Sequence, residues 1–344
     1  MSWLRKALVH LALSRSDEAL VKASGGSPRT VRGMTLDPRM QFLEAQARQR
    51  AIPWDQMNVQ ILRAQTEAGA ELFGGGRVSG VRVEKVYVTG RSHSVPCRLY
   101  LPTVRDNSAA MMVYLHFGGG VIGSLESCHR LCGLIAKQAG APVLSVDYRL
   151  APEFKYPTGL DDCIAAYSWA VDNAARYGAP VGKAAVGGDS MGGLFSAIIA
   201  QEMRKTKPPV VQLLIYPGID FVSETPSMHD FADAWPLTAE TIDFFVKQYL
   251  PENADPSDPR VSPGRTQDLR GLAPALIYGA GFDMLLDQGA AYAERLQEAG
   301  VKVSYTRFDS LPHGFVAFPS AAPAAEAAIR QIAHETAAAL KGNL

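Results

Sequence analysis

Ala184-Ala185-Val186-Gly187-Gly188-Asp189-Ser190-Met191-Gly192-Gly193-Leu194 is the stretch that decides how the chain folds. Small apolar residues that read as a buried strand run into Gly188-x-Ser190-x-Gly192, and a helical pattern (Leu194, Ala197, Ile198, Met203) follows without a gap. A passage from strand to helix this tight admits only small residues at the flanking positions, and it holds the central hydroxyl out at the strand's end. The helix that begins there points free N–H groups at any negative charge developing beside the hydroxyl. A glycine-rich turn with a serine also arises by chance, so the rest of the chain must decide its meaning.

Outward from this turn, strand-like runs alternate with helical ones. Runs at 111–115, 143–146, 184–186, 210–216, 275–278 and 301–307 read as strands, separated by helical patterns near 125–139, 159–177, 192–205, 238–250, 286–299 and 321–341. Such alternation predicts an α/β fold with a mostly parallel central sheet flanked by helices, and ligands then sit at the carboxyl ends of the strands. Ser190 stands at such an end.

Upstream the period changes. Val81, Val83, Val86 and Val88, then Val95, Cys97, Leu99 and Leu101 after the turn Thr89-Gly90-Arg91, predict an antiparallel pair. Residues 1–75 are helical in pattern with no strand signal, and Asp37-Pro38 starts a helix with Met40, Leu43 and Ala47 on one face. They read as an N-terminal helical cap region or a packing appendage, ahead of a catalytic domain at 76–344. Between Pro217 and Pro274 prolines scatter among polar residues around one helix whose N-cap is Thr238. This is expected to be an insertion at about 218–272 that completes the cap.

Totals narrow the classes. With 344 residues, 47% hydrophobic, the chain makes one large or two small globular domains. The 34 basic and 34 acidic side chains balance, which argues against nucleic acid or an anionic membrane as the main partner. Cys97, Cys128, Cys132 and Cys163 form no Cys-x-x-Cys pair and no metal-ligand spacing, so they read as reduced thiols of a cytoplasmic protein. No apolar run is long enough to span a bilayer. The start, Met1-Ser-Trp-Leu-Arg-Lys before the apolar residues 7–13, has the outline of a signal peptide. His10 interrupts it and no small-residue cleavage site follows, so an amphipathic helix is expected.

A serine hydroxyl becomes a useful nucleophile when a base takes its proton and an acid fixes that base's tautomer. In the strand-turn-helix setting both follow the serine in the chain, acid before histidine, each just after a strand. His229, His313 and His334 follow Ser190; His229 falls in the insertion and His334 in the terminal helix, whereas Leu311-Pro312-His313-Gly314 comes directly after the last strand. His313 is therefore the expected base. Asp283 leaves the strand that ends Ile277-Tyr278-Gly279-Ala280 and is the expected acid, with Asp287 one turn on as the alternative, better suited to bracing the next helix. A base that must be neutral predicts activity falling as pH drops through roughly 6 to 7.

The developing oxyanion needs donors from the residue after the serine, Met191, and from the loop after an earlier strand, His116-Phe117-Gly118-Gly119-Gly120. Three glycines in a row also suit a flexible turn or a phosphate cradle, but a cradle calls for Lys and Ser/Thr where Val121-Ile122 stand.

Together these segments resemble the hormone-sensitive-lipase-like esterases, bacterial family IV of the α/β-hydrolase fold, from about residue 81 to 318. The resemblance is carried by Tyr114-Leu-His116-Phe-Gly-Gly-Gly120-Val-Ile-Gly-Ser124, Asp147-Tyr-Arg-Leu-Ala-Pro-Glu153, Tyr156-Pro157 with Leu160-Asp-Asp162, and Gly188-Asp-Ser-Met-Gly192. Ile215-Tyr-Pro217, Tyr249-Leu-Pro251, Asp258-Pro-Arg-Val-Ser-Pro263, Asp283 to Gly289, and His313-Gly-Phe315 continue it. It implies a Ser190–His313–Asp283 triad, a helical cap, and hydrolysis of short- to medium-chain acyl esters with no cofactor and no metal. Asp147 and Glu153 are implied to support the loop behind the site, and Asp189 marks the branch with Gly-Asp-Ser at the turn.

Two positions depart from the family pattern. Phe117 stands where the first glycine of His-Gly-Gly-Gly is usual and Gly120 where an aromatic is; keeping 121–124 in frame leaves Gly118 and Gly119 as donors, while a shift by one gives Gly119 and Gly120. Met191 replaces the usual alanine and narrows the pocket. An amidase or lactonase using the same residues, and a hydrolase-fold ligand-binding protein without catalysis, are the alternatives. The last strand, 301–307, is a sheet edge across which a second copy would pair.

Overall fold

Residues 111–115 are buried at every position, and alternate side chains enter different cores. Met112 and Tyr114 join one apolar cluster, while Met111, Val113 and Leu115 join the other. A strand with helices on both faces needs apolar residues on both sides, which is why it reads as a continuous run and not an alternation. Each such fully buried side chain contributes about 1.5–3 kcal/mol.

A computed structural model describes residues 3–90 and 93–344, the side chains of residues 3–5 apart. Met1, Ser2 and the turn residue Arg91 named above lie outside the described residues. The chain opens with α1 (Trp3–Leu13), α2 (Asp17–Ala23), a two-residue hairpin of β1 (Thr30–Val31) and β2 (Met34–Thr35), α3 (Pro38–Gln49) and α4 (Val59–Phe73). The hairpin corrects the expectation of no strand before residue 75; two-residue strands are too short to show a period. Asp37 caps α3 as expected, accepting from the N–H groups of Arg39 and Met40.

The sheet follows: β3 (Val81–Thr89), β4 (Ser94–Pro102), β5 (Met111–Leu115), α5 (His129–Ala139), β6 (Val143–Val146), α6 (Thr158–Asn173), β7 (Ala184–Asp189), α7 (Met191–Met203) and β8 (Gln212–Ile215). After β8 come α8 (Pro226–Asp230), α9 (Ala239–Tyr249), β9 (Ala275–Phe282), α10 (Leu286–Glu298), β10 (Val303–Pro312) and α11 (Pro323–Leu340). The insertion thus holds two helices where one was expected, α8 being only five residues long. Thr238 caps α9 through Thr241 N–H.

The eight strands run in the order β10-β9-β8-β7-β5-β6-β4-β3, parallel from β10 to β6 and antiparallel at β4 and β3. After β5 the chain steps to β6 on one side, then crosses to β7 on the other. This reversal opens a crevice at the carboxyl ends of β5 and β7, the place where ligands bind in sheets of this kind. Ser190 follows β7 and the glycine loop follows β5. Asp283 follows β9 and His313 follows β10, and β10 is the outer edge. Among the described residues no helix is long and apolar enough to cross a membrane.

Candidate active site

At the turn, Ser190 has φ 55° and ψ −116°, a conformation that L residues avoid and that costs about 1–3 kcal/mol. It is held by its N–H donating to Ile215 O at 2.8 Å and its C=O accepting from Leu194 N–H at 3.0 Å. The glycines are demanded by proximity: a Cβ on Gly192 would lie 1.9 Å from Leu115 O, and one on Gly188 2.2 Å from the same atom.

Ser190, His313 and Asp283 lie in one hydrogen-bonded line. His313 Nε2 is 2.9 Å from Ser190 Oγ, and His313 Nδ1 is 2.7 Å from Asp283 Oδ2. A carboxylate accepts only, so Nδ1 carries the proton and Nε2 is left to accept from the serine hydroxyl. Asp283 is fixed from its other side by Leu285 N–H at 2.9 Å. All three are buried. Asp287 turns away: Arg32 grips it at 2.9 and 3.1 Å, and Ser227 N–H donates to it at 2.8 Å. His229 is exposed in α8 and His334 lies in α11.

Beneath the serine lies a second acid. Asp189 is fully buried and accepts from the hydroxyls of Tyr114 at 3.0 Å and Tyr216 at 2.9 Å. Burial pushes its carboxyl up to about 6, against the pull of those two hydroxyls. The Tyr216 ring packs 4.7 Å from the His313 imidazole, and its backbone sits at φ +35°. The one local signal for Tyr216 is the Tyr-Pro that follows β8, and nothing local tells which ring will lie against the histidine.

The glycine loop is built from peptide planes with one end tied down. Gly118, Gly119 and Gly120 all have positive φ, and Gly118 O accepts from Val121 N–H at 2.9 Å and Ile122 N–H at 3.0 Å. Each planar peptide unit carries a C=O and the next residue's N–H pointing opposite ways, so tying the carbonyl aims the N–H. His116 Nδ1 lies 2.7 Å from Phe117 O and so orients Gly118 N–H. Its ring is buried and stacked 4.3 Å from Tyr148, and burial lowers it to about 4, keeping it neutral. Met191 N–H is aimed the same way, since Ser190 C=O is tied by the first turn of α7. Among the described residues none supplies a hydrogen-bond acceptor to the N–H of Gly118, Gly119 or Met191.

Helix α9 roofs this loop. A Cβ on Gly119 would lie 2.6 Å from Phe245, and one on Gly120 2.6 Å from Tyr249 and 3.3 Å from Met191 Cε. Tyr249 and Met191 therefore fill the space beside Gly120, where an aromatic was the expected family residue. Trp54 reaches α9 from the N-terminal segment, its ring 5.5 Å from Phe244 and its Nε1 donating to Glu240 at 3.0 Å. Among the described residues no group of three His, Cys, Asp or Glu side chains is disposed to hold a metal ion.

A serine on a strand-turn-helix elbow, at the crevice of a mostly parallel sheet, defines the α/β-hydrolase class of enzymes. A family model described as alpha/beta hydrolase fold matches residues 112–317. A carboxylic ester hydrolase of Mycobacterium tuberculosis, LipN, is 39% identical over 303 residues, covering 85% of this chain and 80% of the relative. An ethyl acetate hydrolase of Pseudomonas putida is 36% identical over 82% of this chain and 92% of its own. Among solved structures, an ester-hydrolase from the metagenome of Lake Arreo, complexed with a derivative of bipyridine phosphonate, has a TM-score of 0.82 at 33% identity and covers 88% of this chain and 98% of that one. The chain belongs to the hormone-sensitive-lipase-like esterases of the α/β-hydrolase fold and is a carboxylic ester hydrolase.

Proposed function

We propose that this esterase hydrolyses short- to medium-chain acyl esters by two-step acyl transfer through Ser190. His313 takes the hydroxyl proton as Ser190 attacks the carbonyl, Asp283 stabilises the imidazolium, and the N–H groups of Gly118, Gly119 and Met191 receive the oxyanion. The imidazolium returns its proton to the departing alcohol, and water then repeats the sequence on the acyl-enzyme. The observation that carries this reading is His313 joined at once to Ser190 Oγ and Asp283. Met191 and Tyr249 beside the loop, and an ethyl acetate hydrolase among the relatives, support small acyl groups. An organophosphate is expected to add once, at Ser190; intact-mass and peptide analysis finding no adduct, or one elsewhere, refutes the assignment.

Residues 1–75 and the insertion at about 218–272 form the cap in this reading. Support comes from Trp54 against Phe244 and from Arg29 and Arg48, both bonded to Asp233. Free, buried Cys97, Cys128, Cys132 and Cys163 support work in a reducing compartment, the cytoplasm. Because β10 ends the sheet, a homodimer pairing across residues 301–307 is part of the proposal; light scattering that finds only monomer at micromolar concentration removes it.

A further inference from the structure

Arg63 belongs to α4, 58 residues before Val121 in sequence, yet its guanidinium ends at the glycine loop. Nε donates to Val121 O at 2.9 Å, Nη2 to Ala151 O at 2.9 Å, and Nη1 and Nη2 to the two oxygens of Glu153 at 2.9 and 2.8 Å. Ala151 N–H in turn donates to Gly120 O at 2.8 Å. A planar, charged group with five donors in fixed directions meets all of these acceptors at once, where an ammonium keeps the charge but meets fewer of them.

The bonds run in series. Val121 C=O and Ile122 N–H share one peptide plane; that N–H donates to Gly118 O, which shares its plane with Gly119 N–H. A cation bonded to the first carbonyl therefore fixes the tilt of two planes joined by a hydrogen bond, the second of which ends in a proposed oxyanion donor. Polarisation travels the same way, since each bond in a chain strengthens the next.

The geometry points to Arg63 as a positioning residue for ester hydrolysis: from outside the sheet it aims and polarises Gly119 N–H toward the oxyanion. This rests on the reading of Gly118, Gly119 and Met191 as the oxyanion donors. Glu153 holds the guanidinium and bonds none of the loop carbonyls through it, so its loss releases the anchor without removing the donors. The N-terminal segment is then part of the transition-state machinery as well as a cover.

The test uses the full chain with p-nitrophenyl acetate, rates being expressed per serine labelled by an organophosphate so that unfolded protein does not count. Arg63→Gln is expected to lower kcat about 10²-fold with KM changed less than about threefold, the size of effect seen when a donor is misplaced by a fraction of its bond length. Glu153→Gln should lose about tenfold or less. Arg63→Lys should recover part of the Arg63→Gln loss, and millimolar guanidinium ion should raise the activity of Arg63→Ala, a rescue that a merely structural role does not produce. Unchanged kcat per labelled serine in Arg63→Gln, or a loss confined to KM, overturns the proposal, as does Arg63→Ala that labels fully, is slow and gains nothing from guanidinium. Failure of the underlying reading is seen separately: it falls if Gly119→Ala leaves kcat unchanged, whatever Arg63 does.

Discussion

The two halves of the candidate site are held by different means. Ser190, Asp283 and His313 hang from the ends of β7, β9 and β10, so the sheet's own ladder sets their spacing. The glycine loop leaves β5 and is then fixed by groups from elsewhere: the His116 ring, the Arg63 guanidinium from α4, and Phe245 and Tyr249 from α9. Side chains placed at strand ends in this way need little further support. Donors on a loop of positive-φ glycines are as well aimed as the bonds on their carbonyls.

The sharpest way to break this contrast is on the sheet side. Asp283→Asn keeps the shape and removes the charge that selects the tautomer of His313, and it should lower kcat by about 10⁴-fold. Its melting midpoint is the companion measurement. A rate within tenfold of the parent, in protein that melts normally, would show that the line of three does not carry the proton. On the loop side, Gly119→Ala puts a Cβ 2.6 Å from Phe245 at φ +62° and should cost about 10²–10³ in kcat. If α9 holds the loop, adding Phe245→Ala changes that loss, because the two positions touch. Strictly additive effects on log kcat would remove α9 from the account.

Acid titration separates the halves more gently, because each contains one buried group with a shifted proton affinity. In the folded chain His116 is lowered from 6.5 to about 4, so the unfolded chain takes that proton first and stability is lost as pH falls from about 6.5 toward 4. Asp189 is raised from 3.8 to about 6, so the folded chain takes its proton first and stability is gained as pH falls through the same window. The two oppose one another. Each tenfold difference in proton affinity between folded and unfolded chain is worth about 1.4 kcal/mol. Asp189→Asn, which leaves the His116 contribution alone, should therefore lose about 2–3 kcal/mol more than the parent between pH 6.5 and 4, read from urea midpoints. Parallel losses in the two proteins would show that Asp189 carries its charge in both states. Smallest is Tyr216→Phe, which takes one donor from Asp189 and should cost about 1–2 kcal/mol of stability, with the rate less affected.

What could be read beforehand follows the same division. The elbow, Asp283 and His313 were legible because each is fixed by a local pattern: a strand, then a turn, then a residue with the right chemistry. Asp287 was separable from Asp283 on spacing alone, and Arg32 and Ser227 now account for its position. Arg63 was invisible, since an arginine on an amphipathic helix looks like any solvated one until the fold brings Val121 and Ala151 to it. Tyr216 at φ +35°, the β1–β2 hairpin and the five-residue α8 escaped for a related reason, being set by neighbours or too short to show a period.

One more consequence follows from Leu115 O lying where a Gly192 side chain would begin. That crowding is independent of any reaction, so a library of replacements at 192 should be as poorly expressed in a Ser190→Ala background as in the active enzyme. The glycines that flank Ser190 are thus enforced by packing before chemistry has a say. A chain of this lineage that abandoned catalysis would be expected to keep its glycines and to let the serine drift.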